Sequence, residues 1–189
     1  MKTKVLFVSD VHGSDRCFRK FVNAGKFYGA KVLILGGDVT GKAIVPMVRM
    51  ADGAVKVREG STDRLHSQSE IEELKKSISD AGNYPYVAGS KEFEELMAKP
   101  ELVVGLFKRL MVERLQSWIT LADERLAGTG IKCYISPGND DFFEIDGVLS
   151  SGKHVVNPEG GLVEIDGRHE MITLGYTNRT PWNSPREVD

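Results

Sequence analysis

The sequence predicts an α/β fold built around a parallel sheet. Two short apolar runs, residues 5–8 and 32–35, are separated by a segment with helical periodicity. A strand–helix–strand unit of this length implies parallel neighbouring strands joined by a right-handed crossover. The apolar residues in both runs are consecutive rather than alternating, which is typical of strands that are covered on both faces.

The first helix is expected to begin after Ser14, which can accept a hydrogen bond from the first turn, and to end at Gly29. Phe18, Phe21, Val22 and Tyr28 recur at helical spacing and form its predicted core face. This helix would pack on the sheet that the two flanking strands begin.

Residues 43–99 have a different pattern and are interpreted as an insertion within a single domain of residues 1–189. Asp52-Gly53 lies between two apolar runs and predicts a hairpin. A Ser-x-x-Glu capping box at Ser69 and a second capping residue, Ser90, predict two short helices. The insertion could form a lid near a site or simply pack on the core.

The remainder contains one long helix and several short strands. The helix is predicted from Pro100 to about Leu126, with an apolar stripe that includes Val103, Leu106 and Trp118. A third apolar strand follows at residues 131–135. Runs at 154–156, 162–165 and 169–174 predict the start of a second, mostly antiparallel sheet, and the tail from 178 to 189 has no core pattern.

Composition excludes several classes of protein. A chain of 189 residues with 41% hydrophobic content can bury a core, and a net charge of −2 provides no broad surface for nucleic-acid binding. No apolar run is long enough for a signal peptide or a membrane span. Cys17 and Cys133 lack metal-type spacing and are expected to be buried, reduced thiols. The protein is therefore predicted to be cytoplasmic and to act away from membranes.

Three polar motifs follow the three predicted core strands. They are Asp10-Val-His12, Gly36-Gly37-Asp38 and Gly138-Asn139-Asp140-Asp141. Ligands in open α/β sheets bind beyond the carboxyl ends of the strands, where all three motifs would lie. Carboxylate, imidazole and amide groups suit Mn, Fe or Zn. Asp, Asn and Gly are also common in strand-end turns, but chance does not readily explain all three motifs in these positions.

These motifs resemble the signature of the calcineurin-like metallophosphoesterase superfamily, which reads D-x-H, then G-D, then G-N-H-D/E. The segment Gly36–Lys42 is most similar to the Icc-related predicted phosphoesterases of that superfamily. The resemblance implies a four-layer αββα sandwich, with the C-terminal part of the second sheet missing here. It also implies hydrolysis of phosphoric esters, either monoesters or diesters, by a metal-bound hydroxide at a dinuclear centre.

The same resemblance assigns roles to individual residues. Asp10 and His12 would bind one divalent ion, Asp38 would bridge two ions, and Asn139 would bind the second. Two divalent ions are expected, with Mn favoured and Fe, Zn or Ni as alternatives. The substrate would be a small phosphate ester or a nucleotide, and a homo-oligomer is possible.

Asp140 and Asp141 are the candidate catalytic residues. Asp140 stands where the superfamily usually has a histidine that binds substrate and protonates the leaving group. It could act as an acid, orient a water or do neither. Asp141 is expected to orient a neighbouring group. Among the basic residues, Lys42 is the best placed to contact a phosphate, although it is not assigned to the site.

The second departure is the absence of the C-terminal histidine motifs that complete the superfamily's metal site. His66 is predicted to lie in a solvated loop, and His154 and His169 are predicted to be structural residues in strands. The chain is therefore interpreted as an N-terminal part of a longer protein. An alternative function is an inactive scaffold of the same fold that binds phosphate or metal without turnover.

Overall fold

A computed structural model describes residues 2–59 and 62–189 and shows an α/β fold. Its helices are α1 (Asp15–Tyr28), α2 (Ile71–Asp80), α3 (Ser90–Ala98), α4 (Pro100–Leu126) and α5 (Ile145–Leu149). Its strands are β1 (Val5–Val8), β2 (Val32–Gly36), β3 (Ile44–Arg49), β4 (Val55–Glu59), β5 (Thr62–His66), β6 (Tyr84–Gly89), β7 (Lys132–Ser136), β8 (Val155–Val156), β9 (Leu162–Asp166), β10 (His169–Ile172), β11 (Thr177–Asn178) and β12 (Glu187–Val188). None of the helices within these ranges combines the length and apolar character needed to cross a membrane.

The central sheet is parallel and has the strand order β1-β2-β7-β8. The predicted β-α-β opening is confirmed, with Val5 paired to Val32 and Val32 paired to Lys132. Because the strands are parallel, the loops after β1, β2 and β7 all emerge at one edge. The prediction that the strand near residue 155 belongs to a second antiparallel sheet is wrong, since β8 pairs with β7.

Helix α1 begins and ends as predicted. The Ser14 side chain accepts a hydrogen bond from the Cys17 amide, and Gly29 ends the helix at φ 64°. Phe18 is fully buried and stacks on Trp118 of α4 with 4.3 Å between ring centroids. Helices α1 and α4 thus cover one face of the central sheet with a shared aromatic core.

Three predictions about burial around these helices are wrong. Tyr28, the last residue of α1, is 57% exposed and does not join the buried face of that helix. Cys17 is exposed, whereas Cys133 is buried as expected. Val103 is 37% exposed, because the buried face of α4 starts only at Leu106, where the helix reaches the core.

Residues 43–99 contain a second four-stranded sheet of order β5-β4-β3-β6. The predicted hairpin is confirmed as β3–β4, and α2 connects the sheet to β6, which runs parallel to β3. Strand β6 was not predicted, because Pro85 and Gly89 are unfavourable inside a strand. The predicted caps are wrong, because no side chain caps α2 or α3 and Ser90 is the first residue of α3. The Glu70 carboxylate instead accepts hydrogen bonds from the Ser67 amide and hydroxyl in the turn before α2. His66 lies at the end of β5 and is half-buried, so its assignment to a solvated loop is wrong.

The other face of the central sheet is only partly covered. Hairpin β9–β10 is antiparallel, as predicted, and Ile165 packs against Val32, Ile34 and Tyr134. Beyond the hairpin, Phe7 of β1 is 62% exposed. The expectation that both faces are covered therefore holds for β2 but not for β1, which is an edge strand.

The tail packs against the protein although its sequence has no apolar pattern. Arg186 is 1% exposed and donates to the main-chain oxygens of Asp141 and Phe142 and to the Asp146 carboxylate. Its guanidinium also lies 4.5 Å from the centre of the Phe143 ring. The tail packs on the protein without an apolar pattern, because the buried polar side chain of Arg186 anchors it.

We predict that Arg186→Ala lowers the free energy of unfolding by about 2–4 kcal/mol, since it leaves a carboxylate and two carbonyl groups without their partner. The matched control is Arg179→Ala, which removes an exposed ion pair with Asp189 in the same tail. That change should cost less than about 1 kcal/mol. Urea denaturation measures both, and equal losses would contradict the anchoring role of Arg186.

Candidate metal centre

Asp10, His12 and Asp38 come together at the carboxyl edge of the central sheet. The His12 Nε2 atom lies 3.7 Å from Asp10 Oδ1 and 4.0 Å from Asp38 Oδ2. One ligand-type atom from each residue lies within 4.8 Å of the others, and this is the one such group among residues 2–59 and 62–189. Two carboxylates and an imidazole are a donor set that suits Mn, Fe or Zn.

These three residues all have left-handed backbone conformations. The φ angles are 57° at Asp10, 42° at His12 and 50° at Asp38. Residues other than glycine seldom adopt such angles, which cost roughly 1–3 kcal/mol each and tend to cluster at functional sites. Only one further described non-glycine residue, Asn183, has a positive φ. The strain is thus concentrated at the three candidate ligands.

Hydrogen bonds between the first two loops maintain this backbone shape. The Asp10 amide donates to Gly37 O at 3.1 Å, and the His12 amide donates to Asp38 O at 3.0 Å. The Gly13 amide continues the series by donating to Val39 O at 2.8 Å. The loops therefore extend the parallel pairing of β1 and β2 and direct their polar side chains toward one point.

Burial and charge act together on Asp38. Its carboxyl is 18% exposed, and burial is the main cause that raises its pKa above 3.8. The Asp141 and Asp140 carboxylates raise the pKa further, while the Asp140 amide and His12 lower it. A cation at this position would relieve the repulsion between these carboxylates.

His12 presents Nε2, and not Nδ1, to the two carboxylates. Its Nδ1 atom is buried and has no hydrogen-bond partner among the described residues. Ligating histidines usually donate their second ring nitrogen to an acceptor, so His12 lacks the usual orienting bond. The loop backbone, rather than a side-chain partner, fixes the position of this imidazole.

Asn139 lines the same cleft as Asp10 and Asp38, which has a volume of about 340 Å³. Its amide nitrogen donates to Ser184 Oγ at 3.0 Å, which leaves the amide oxygen as its candidate ligand atom. Ser184 belongs to the tail and was not predicted as a site residue. Its hydrogen bond with Asn139 forms because the tail folds back over the third motif, which the sequence pattern does not indicate.

Asp141 cannot contact a substrate, because its side chain is completely buried. Its carboxylate accepts hydrogen bonds from the amides of Val39, Thr40 and Gly138 and from the Thr40 hydroxyl, at 2.6–3.0 Å. These bonds join the second motif to the third. Its inclusion among catalytic residues is therefore corrected, and its geometry is that of an orienting residue.

Asp140 lies at the partly exposed side of the site. Its carboxylate contacts the Lys42 ammonium at 2.5 Å, and its amide donates to Asp38 Oδ1 at 3.4 Å. The roles predicted for Asp140 did not include an ion pair with a lysine. The contact favours Asp140 as the group that positions Lys42, and not as a proton donor.

Three glycines meet behind the candidate ligands. Gly13 and Gly41 come from the first two motif loops, and Gly82 follows α2. A Cβ on Gly82 would lie 2.2 Å from His12 O, and a Cβ on Gly41 would lie 2.1 Å from Gly82 O. The segment from the insertion thus buttresses the first loop at a distance that only glycine permits.

Arg114 of α4 strengthens the same junction. Its guanidinium donates to Gly13 O at 2.8 Å and to Ser79 Oγ at 2.9 Å, and it lies over the Tyr84 ring. The Tyr84 hydroxyl in turn accepts from the Gly41 amide at 2.8 Å. No sequence pattern indicates this role, because arginine is common at polar positions of a helix.

His154 and His169 lie far from the candidate ligands. His154 precedes Val155, which pairs with Cys133 near the start of β7, whereas Asn139 follows the end of that strand. His169 contacts Asp166, whose carboxylate is also bonded by Thr3 just before β1. Both histidines are thus at the amino edge of the sheet. Among the described residues, only Asp38 and Asn139 remain as candidate ligands for a second ion.

We predict that Gly82→Ala destabilises the protein by about 3 kcal/mol or more, because its φ of +93° and the contact with His12 O are both unfavourable. Gly53→Ala is the matched control, since Gly53 has φ +87° but nothing within 4 Å of an added Cβ. It should cost only about 1–2 kcal/mol. Thermal or urea unfolding distinguishes the two, and similar losses would show that the junction tolerates a side chain.

A second prediction concerns pH. In metal-free protein the raised pKa of Asp38 means that the folded state holds a proton more tightly than the unfolded state. Its contribution to stability is therefore greatest below pH 3.8 and is lost as pH rises through the folded pKa. In EDTA, Asp38→Asn should gain stability relative to wild type as the pH rises above 3.8, and the gain should level off once the pH exceeds the folded pKa of Asp38. A stability difference that does not change with pH would contradict this.

Comparison with protein-family models, with curated proteins and with solved structures finds no match to this chain. What the site can do must therefore be inferred from the chain's own residues and their geometry. These residues are two carboxylates and an imidazole on strained loops, the Asn139 amide in the cleft that the two carboxylates line, and the Lys42–Asp140 ion pair.

Proposed function

We propose that this protein is a metal-dependent phosphoric ester hydrolase. The observation that carries the proposal is the convergence of Asp10, His12 and Asp38 at one sheet edge, with left-handed backbone at all three. Backbone strain of this kind is retained where the local geometry serves a function. The resemblance of the three motifs to metallophosphoesterases gives the class of reaction.

The residues present fit a divalent cation. Asp10, His12 Nε2 and Asp38 would hold a first ion, and Asp38 with Asn139 would hold a second, for which Mn, Fe, Zn or Ni are suitable. When bound, such ions supply an activated water and neutralise charge on phosphoryl oxygens. Asp141 would hold the loops of the second and third motifs together, so that Asp38 and Asn139 face the same cleft.

The cleft supports a small substrate. Its volume of about 340 Å³ suits a compact phosphate ester or part of a nucleotide. Asp10, Asp38 and Asn139 line one wall, and the segment from Thr173 to Tyr176 contributes to the other. Asp140 and Lys42 compensate each other's charge beside this wall, so the approach of an anion is not opposed by an unpaired carboxylate.

The four-layer αββα arrangement is part of the same proposal. Helices α1 and α4 pack on one face of the central sheet, and β9–β10 packs on the other through Ile165. We interpret this hairpin as belonging to the second sheet of such a sandwich.

A scaffold that binds metal or phosphate without turnover is the second candidate. It is favoured by the position of His154 and His169 at the opposite edge of the sheet, which leaves the second ion with few ligands. The two functions differ in one observable property, because a scaffold would retain a metal ion and yet hydrolyse no ester.

The test is the metal content of the folded protein after loading with Mn and desalting, measured by elemental mass spectrometry. We expect about one ion per chain to be retained, since the Asp10–His12–Asp38 group has three ligands while the second position has fewer. Asp38→Asn should lose it. A wild-type protein without metal would contradict the proposal.

The control is Asp63→Asn, which removes a carboxylate of the insertion that pairs with Lys56 and Arg58. It should leave the metal content unchanged. Hydrolysis of p-nitrophenyl phosphate and of bis-p-nitrophenyl phosphate by the loaded protein then separates an enzyme from a scaffold. Absence of turnover for both esters, with metal retained, would favour the scaffold.

A further inference from the structure

The Lys42–Asp140 ion pair lies beside the candidate metal ligands and joins two of the three motif loops. The ammonium and the carboxylate are 2.5 Å apart, and the Lys42 side chain is 60% exposed while that of Asp140 is 31% exposed. Both groups therefore remain accessible to a molecule in solution. This distinguishes them from Asp141, the next residue, which is completely buried.

The backbone on both sides of the pair is fixed. Gly41, next to Lys42, donates its amide to the buried Tyr84 hydroxyl, and Thr40 is bonded to the Asp141 carboxylate. Asp140 donates its own amide to Asp38. The backbone that carries Lys42 and Asp140 is thus held by hydrogen bonds, and the ion pair then places the ammonium at the Asp140 carboxylate.

The charges around Lys42 keep it a cation that faces the site. The hydrogen bond to Asp140 is the main cause that raises the pKa of Lys42, and burial opposes it slightly. The Asp38 and Asp10 carboxylates also raise this pKa. Asp140, which holds the ammonium, donates its amide to Asp38 Oδ1, and this contact places the ion pair next to the candidate ligands. A phosphate held at Asp10 and Asp38 would therefore be near the ammonium.

We infer that Lys42, positioned by Asp140, is a phosphate-binding residue of this site. An ammonium has three donors, so one can remain on Asp140 while the others bond to phosphoryl oxygens. The pairing also explains how an aspartate is tolerated at a position where a free carboxylate would repel the substrate. This inference rests on the proposed phosphoesterase function and identifies how the substrate's anionic group would be held.

The experiment is calorimetric titration of inorganic phosphate into Mn-loaded, desalted protein, with metal content measured on the same samples. Lys42→Met should weaken phosphate binding about tenfold or more, because a charged hydrogen bond is lost. Lys42→Arg, which keeps the charge, should restore most of the affinity. Lys99→Met is the matched control, since Lys99 forms an exposed ion pair with Glu95 far from the motifs and should bind phosphate as wild type does.

A double variant tests the role of Asp140. In Lys42→Met the Asp140 carboxylate is left uncompensated beside the phosphate, so adding Asp140→Asn should recover part of the lost affinity. A merely structural lysine would not give this recovery, and its absence would overturn the assignment of Asp140. Equal phosphate affinity in wild type and Lys42→Met, or no binding by wild type, would overturn the assignment of Lys42.

The two proposals can fail separately. If wild type retains no metal but still binds phosphate in a Lys42-dependent way, the phosphate-binding residue is supported and the metal centre is contradicted. If metal is retained and phosphate binding does not depend on Lys42, the metal centre is supported and this inference is overturned.

Discussion

The buried carboxylate of Asp141 is the interaction on which the candidate site depends most. A charge removed from water is strongly unfavourable unless several hydrogen bonds compensate it. Here the compensating donors are the Thr40 hydroxyl and three amides, which belong to the loops after β2 and β7. The arrangement stabilises the carboxylate and at the same time fixes the two loops that carry Asp38 and Asn139. Arg186 closes the opposite side of the third loop by bonding to the Asp141 main-chain oxygen.

The site as a whole is favoured by the fold but is locally strained. Left-handed angles at three non-glycine residues cost free energy of folding, and so does the repulsion between adjacent carboxylates. The hydrogen bonds that extend the pairing of β1 and β2 offset these costs. The junction of Gly13, Gly41 and Gly82 lets the insertion support the first loop from behind. Residues 43–99 are thus part of the framework of the site, because Gly82 lies against the His12 carbonyl and Ser79 accepts a hydrogen bond from Arg114, which also bonds to Gly13.

Local sequence patterns were enough to predict the central sheet and the placement of the motifs. Consecutive apolar residues, the Ser14 cap and Gly29 act over short distances, so the β-α-β unit and α4 could be recognised directly. Strand β6 could not, because its Pro85 is compatible with the sheet only through pairing with β3. Arg186 and Arg114 could not be found either, since a buried arginine has no pattern until its partners are placed in space. The position of His154 depended on β8 pairing with β7, a tertiary contact that overrides the local alternation of the sequence.

The central claim is that Asp10, His12 and Asp38 bind one divalent cation. Its most direct test is anomalous X-ray diffraction from crystals of the Mn-loaded protein, recorded on both sides of the Mn absorption edge. The account predicts an anomalous peak between the two carboxylates and His12 Nε2. A peak elsewhere in the protein, or no peak at this sheet edge at saturating Mn, would contradict it.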